Sequence, residues 1–297
     1  MRAFDMEGLG MALVLAILSA LCFGMALVTG RIGLRTLDAR SGAAISIPTA
    51  TLLFVAAAPF ALDLSGFDAR AALLFAVVGL FFPAIVTLLT FRSNELLGPT
   101  VTGAVSGTAP LFAVVGAAIV LGERVPDEAA LSTAGVVAGI ALLSSKKGVR
   151  LRNAFAWPLL WPIAGAAVRG LAQVAAKAGL VMWASPFAAS LIGYVVSSAT
   201  VVGADRILGS AKPVLTKSAI AWFALTGVLN GGAVLLMYAA LAGAPVWMVA
   251  PVVASYPLVT AVVSAAVLRD ERLTARIVGG ALLTAGAVTY LVGASAL

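Results

Sequence analysis

Side chains able to do chemistry are scarce in this sequence, and Arg169 is the most informative of them. It stands well inside a long apolar stretch, where a charge costs about 2.5–3.5 kcal/mol on insertion scales. Gln173 and Lys177 follow at four-residue steps, so the three form one polar stripe along a helix face. A cation so placed suits a negative group on a bound solute. It also suits plain structure, with Lys177 snorkelling to an interface and Arg169 donating to carbonyls of a neighbouring helix. Asn230 and Tyr238, eight residues apart, share a face of a second apolar stretch, where they could hold the same solute or a neighbouring helix. Thr87 and Thr90 follow Pro83 in a third stretch, and threonine hydroxyls can equally bond back to their own backbone. Ser106 and Ser255 lie beside Pro110 and Pro257, and each proline removes a backbone donor and favours a kink. The expected substrate-binding set is therefore Arg169, Gln173, Asn230, Tyr238, Thr87, Ser106 and Ser255, with helix kinks at Pro110 and Pro257 lining the same cavity.

Residue types that are missing narrow the chemistry. The chain has no histidine, which excludes the usual His-based proton relays, Ser–His hydrolysis and His-ligated zinc. Cys22 is the only cysteine, so no intramolecular disulfide forms. Aspartate and glutamate are absent from the span interiors, with Glu95, Glu123 and Glu271 at span ends. There is no G-x-S-x-G and no buried acid pair, so no catalytic residue, cofactor or metal site is expected and the protein does not read as an enzyme. With a positive charge as the only deep one, an anionic, zwitterionic or carboxylate-bearing solute fits better than a cation.

The elements that must position these residues are membrane-spanning helices. Of 297 residues 62% are hydrophobic and 10% charged, against about 25% charged in a soluble domain. The apolar runs reach roughly 20 residues, enough to cross a hydrocarbon core about 30 Å thick. Spans are expected at 10–30, 42–62, 70–91, 98–121, 128–145, 155–180, 186–204, 217–241, 245–268 and 274–295. The net charge of +7 does not point to nucleic acid, because the basic residues sit in short loops and not in a patch with interleaved aromatics. No cleavable signal is expected in front of the first span.

The ten expected spans divide into two sets of five around the basic loop that holds Lys146, Lys147, Arg150 and Arg152. Pro110 and Pro257 are offset by 147 residues, as are Gly139 and Gly286; Arg31 and Lys177 are offset by 146, and Gly79 and Gly227 by 148. Glu123-Arg124 and Glu271-Arg272 repeat at 148. Residues 1–148 and 149–297 are therefore expected to be two copies of one unit. An odd number of crossings makes the second copy enter from the opposite side, which gives inverted repeats of the kind found in alternating-access transporters. Fourteen Lys and Arg residues follow odd-numbered spans and four lie at the N-terminus or after even-numbered ones. The positive-inside rule then places the central loop in the cytoplasm and both termini outside.

Two stretches, PLFAVVGAAIVLGERVPDEAALSTAGVVAGIALL and PLVTAVVSAAVLRDERLTARIVGGALLTAGAVTYL, resemble the ends of the two EamA-like units of the drug/metabolite transporter superfamily. The shared pattern is a mid-helix proline, an apolar run, a Gly-Glu-Arg-like turn and a glycine-rich last helix. Arg31 and Lys177 also resemble the basic residue that often ends the first helix of each unit, although the second turn carries Asp270 where the first has Gly122. The resemblance implies a ten-helix transporter with a central cavity lined mostly by helices one, three, four, six, eight and nine. The expectation is a secondary transporter, an exporter, of a small polar metabolite such as an amino acid or another carboxylate-bearing solute. It would sit in the cell (inner) membrane, with the lipid bilayer and a small-molecule substrate as partners, as a monomer or homodimer. The competing reading is a protein that translocates lipid or a lipid-linked substrate.

Overall fold

The structure, a computed structural model, describes residues 6–144, 157–208, 215–268 and, further on, 279, 280, 282–284, 286, 287 and 290. Among the described residues there is no strand. The helices are α1 (Met6–Gly33), α2 (Ala39–Ala61), α3 (Ala69–Phe81), α4 (Ala84–Ser106), α5 (Ala109–Gly116), α6 (Asp127–Ser144), α7 (Trp157–Met182), α8 (Pro186–Leu208), α9 (Lys217–Gly243), α10 (Val246–Val253) and α11 (Tyr256–Val267). A π-helical turn, Ala117–Leu121, extends α5 and ends at Gly122, whose φ of +65° needs a residue without Cβ.

Seven stretches are long and apolar enough to cross a membrane: Gly8–Gly33, Ala39–Ala61, Ala69–Pro99, Trp157–Met182, Pro186–Ala204, Lys217–Gly243 and Val246–Val267. They coincide with the first, second, third, sixth, seventh, eighth and ninth expected spans. The fourth is built in pieces, from the end of α4, α5 and the π turn. The fifth is α6, and most of the tenth lies outside the described residues, as do the central basic loop and Glu271-Arg272. Helices are the natural answer to this composition, because a backbone in lipid must satisfy its own polar groups. Large apolar side chains point outward without protein cover, Phe60 at 93% exposure and Ile119 at 78%, which is the surface a bilayer solvates. The chain is a multi-pass helical membrane protein.

Interruptions shape the interior. The third expected span breaks at Phe82–Pro83, between α3 and α4. Inside α4, Gly98 takes φ +79° just before Pro99. The two expected proline kinks are complete breaks: α4 stops at Ser106 and α5 resumes with Pro110 at its second residue, while α10 stops at Val253 and α11 resumes with Pro257 at its second. Proline there costs no helical bond, since the first turn's N–H groups have no intrahelical partner. The breaks are built alike. Thr108 donates its hydroxyl to the Val105 carbonyl at 2.8 Å, and Ser255 donates to the Val252 carbonyl at 2.7 Å.

Two further pairs recur at nearly the same offset. A Cβ on Gly24 of α1 would lie 2.8 Å from the Tyr256 carbonyl of α11, and one on Gly170 of α7 would lie 2.6 Å from the Ala109 carbonyl of α5. Glycine lets each of these helices close onto the segment just after a break. Arg31 of α1 donates to the Asn94 and Glu95 carbonyls at 2.9 and 3.3 Å. Lys177 of α7 donates to the Leu241 and Ala244 carbonyls at 2.6 and 3.0 Å. Each cation meets carbonyls near the end of a helix, where the macrodipole favours positive charge.

Candidate substrate site

Arg169 is the thirteenth of the 26 residues of α7, as far from both ends as that helix permits. It is buried at 8% exposure, and Gln173, one turn on, is buried at 2%. Leu171 and Val181, on other faces of α7, stay exposed, so the helix turns its polar stripe inward. The guanidinium carbon lies 4.9 Å from the centre of the Phe23 ring and 5.5 Å from that of Tyr256. Phe23 precedes Gly24, whose close contact sets α1 against Tyr256, and the Phe23 and Tyr256 ring centres lie 6.1 Å apart.

Ring faces attract a cation, at about 0.5–2 kcal/mol each. They do not satisfy N–H donors. Arg169 Nε is buried without a hydrogen-bond partner, and Arg169 makes no hydrogen bond or ion pair with any described residue. Other orphaned groups gather near it. Tyr194 and Tyr256 each line a cavity together with Arg169, and neither hydroxyl has a hydrogen-bond partner. The Ser106 hydroxyl, at the end of α4, is also buried and unpartnered. Gln173 Oε1 is likewise buried and unsatisfied. A buried donor or acceptor left empty costs about 1–3 kcal/mol, so these groups hold hydrogen-bonding capacity that no described residue takes up.

Two small adjoining cavities open there, each about 20 Å³, room for roughly one water. Both are lined by Phe23, Thr90, Phe91, Arg169 and Asn230; Thr87, Tyr194 and the Phe82–Pro83 break join the first, and Tyr256 the second. The site is therefore tightly closed in this conformation. A larger hollow of about 350 Å³ between α3 and α7 is lined only by apolar residues such as Val77, Phe81 and Leu171, and it carries none of this chemistry.

Of the residues singled out in the sequence, Arg169, Asn230 and Thr87 line one space, with Thr90 beside them. Ser106, Gln173 and Tyr238 are buried but line neither cavity. The Ser255 hydroxyl is taken up by its own helix break. Pro110 and Pro257 set the breaks but do not line the cavities. Sequence reasoning did not include Tyr194, ninth residue of α8, whose hydroxyl in an otherwise apolar stretch was the available signal. Phe23, which lies 146 residues before Arg169 and against its guanidinium, was not among the residues singled out either.

Glu123 has a different task. Its carboxylate accepts the backbone N–H groups of Val246 at 3.1 Å and Trp247 at 3.4 Å, so it caps α10 from more than a hundred residues away. Asp38 and Asp68 cap α2 and α3, Asp63 bonds Ser65, and Glu95 pairs with Arg92 at 2.6 Å.

Residues 10–145 match the EamA-like transporter family, part of the drug/metabolite transporter superfamily, so the family resemblance read from the sequence is shown. No curated protein matches the chain. Among solved structures, one protein known from a crystal structure shares the fold with a TM-score of 0.76, at 15% identity, over 94% of this chain and 95% of its own.

Proposed function

We propose that this chain, EamA-like over residues 10–145, is a secondary transporter that carries a small carboxylate-bearing solute across the cell membrane by alternating access, with export as its direction. The observation that carries the reading is Arg169: a cation at mid-helix, buried, with no counter-ion or hydrogen bond among the described residues. A bidentate carboxylate would supply the missing partner. Asn230, Thr87, Thr90 and the tyrosine hydroxyls would orient the rest of the solute. A space of about 20 Å³ is too small for any metabolite, so a loaded state needs the surrounding helices to part, as alternating access requires.

The full architecture belongs to the same proposal: ten spans in two inverted units, 1–148 and 149–297, with the central loop cytoplasmic and the termini outside. The paired helix breaks, the paired glycine contacts and the paired cation-to-carbonyl ties, all offset by 146 or 147 residues, support it. The bilayer and a small solute are its partners, and it works as a monomer or homodimer.

The test is flux in proteoliposomes, with a panel of radiolabelled carboxylates, with and without a pH gradient. Wild type should carry at least one of them. Arg169→Ala should lose about a hundredfold or more of that flux while keeping its expression and elution profile. Wild-type flux in Arg169→Ala would overturn the reading.

A further inference from the structure

The cavity's charge balance says more about the solute than that it bears a carboxylate. Arg169 contributes one positive charge, and no acidic side chain lines either cavity. Two acids at the ends of the described spans are committed elsewhere, Glu123 to the α10 N-terminus and Glu95 to Arg92. Carbonyls at broken helices can receive an ammonium group. Here the Val105 carbonyl already accepts the Thr108 N–H and hydroxyl, and the Val252 carbonyl accepts those of Ser255. The two aromatic faces next to the guanidinium are occupied by it. What remains uncommitted is neutral: the Tyr194 and Tyr256 hydroxyls, and the Thr87, Thr90 and Asn230 side chains.

A zwitterion entering this space would neutralise Arg169 with its carboxylate but bring a second cation, leaving the site at one net positive charge. Its ammonium would lie one or two bonds beyond the carboxylate, within reach of the guanidinium's repulsion and with no anion to meet. A monoanion brings the site to neutrality, and a hydroxyl or keto oxygen in place of the amine finds donors and acceptors already waiting. Resting on the transporter reading above, we infer that the site selects hydroxy- or oxo-carboxylates over α-amino acids of the same carbon skeleton.

Matched pairs test this, because each differs only in amine against hydroxyl: glycolate and glycine, lactate and alanine, phenyllactate and phenylalanine. Flux of each, as radiolabel, is measured in proteoliposomes at pH 7 for wild type and for Arg169→Gln. The expected result is that in every pair carried at all the hydroxy acid is favoured at least tenfold in kcat/KM, and that Arg169→Gln removes its flux. Arg169-dependent flux with the amino acid equal or favoured overturns the selectivity and leaves the carboxylate site standing. Flux independent of Arg169, or no flux of any member, overturns both.

Discussion

Arg169 rests between two ring faces with no carboxylate beside it, and this governs how its neighbours respond to substitution. Tyr256 supplies both a ring and a hydroxyl, and only the ring is engaged in the closed state. Tyr256→Phe keeps the ring and removes a buried unsatisfied hydroxyl. Detergent-solubilised Tyr256→Phe is therefore expected to melt at or above the wild-type temperature, while KM for the carried carboxylate rises roughly three- to tenfold, the worth of one hydrogen bond. A lowered melting temperature with unchanged KM would assign the hydroxyl to folding instead. Arg169→Lys tests the other side of the contact. It keeps the charge but gives up the flat, delocalised group that lies on both rings and meets a carboxylate with two parallel bonds, so flux should fall about tenfold or more. At this scale the sequence was readable where cost was visible: a lone arginine deep in an apolar run identifies itself. Tyr194 and Phe23 did not, because an aromatic residue among aliphatic ones is cheap wherever it faces, and only packing decides which face that is.

Helix breaks and close contacts do the positioning. Gly170 brings α7 against the start of α5, and the residue before it is Arg169. Gly170→Val would press a branched side chain on the Ala109 carbonyl and the Phe112 Cβ, and is expected to cost about 1–3 kcal/mol in stability. Gly10→Ala, where a Cβ meets nothing within 4 Å, serves as the neutral control in the same melting measurement. Glu123 is the other positioning residue. Glu123→Ala removes an acceptor from the first N–H groups of α10 and should destabilise the protein by about 1 kcal/mol, with Glu123→Gln milder because the amide oxygen can still accept. Both prolines were legible as weak points in their helices. The completeness of the breaks was not, since it depends on Thr108 and Ser255 turning their hydroxyls onto carbonyls three residues back. In the sequence Glu123 reads only as an acid at a span end. Its actual partner, α10, comes near only when the two halves of the chain pack together.

Over the whole molecule, the repeated ties from Arg31 and Lys177 fit the inverted two-unit arrangement proposed above. Arg31 in α1 reaches carbonyls 63 and 64 residues further along, and Lys177 in α7 reaches carbonyls 64 and 67 further along. If the units are inverted, the two ties sit on opposite faces of the membrane, and so do the turns after α1 and α7. The offsets and loop charges that suggest this arrangement are visible in the sequence, since a duplication would leave matching residues wherever geometry demands them. Which face is which rests on the imbalance of basic residues alone. Thr36, after α1, and Ala184, after α7, are both exposed and suit single reporters. In a Cys22→Ser background, which removes the chain's only native thiol, an impermeant maleimide applied to intact cells should label Ala184→Cys and leave Thr36→Cys untouched until the membrane is opened. Labelling of both from outside would make the units parallel. The reverse pattern would keep them inverted but turn the protein over, putting the basic loops outside against the charge rule. Because a parallel arrangement would bring Arg31 and Lys177 to the same face, this one measurement also decides whether the two ties can close opposite ends of a single central path.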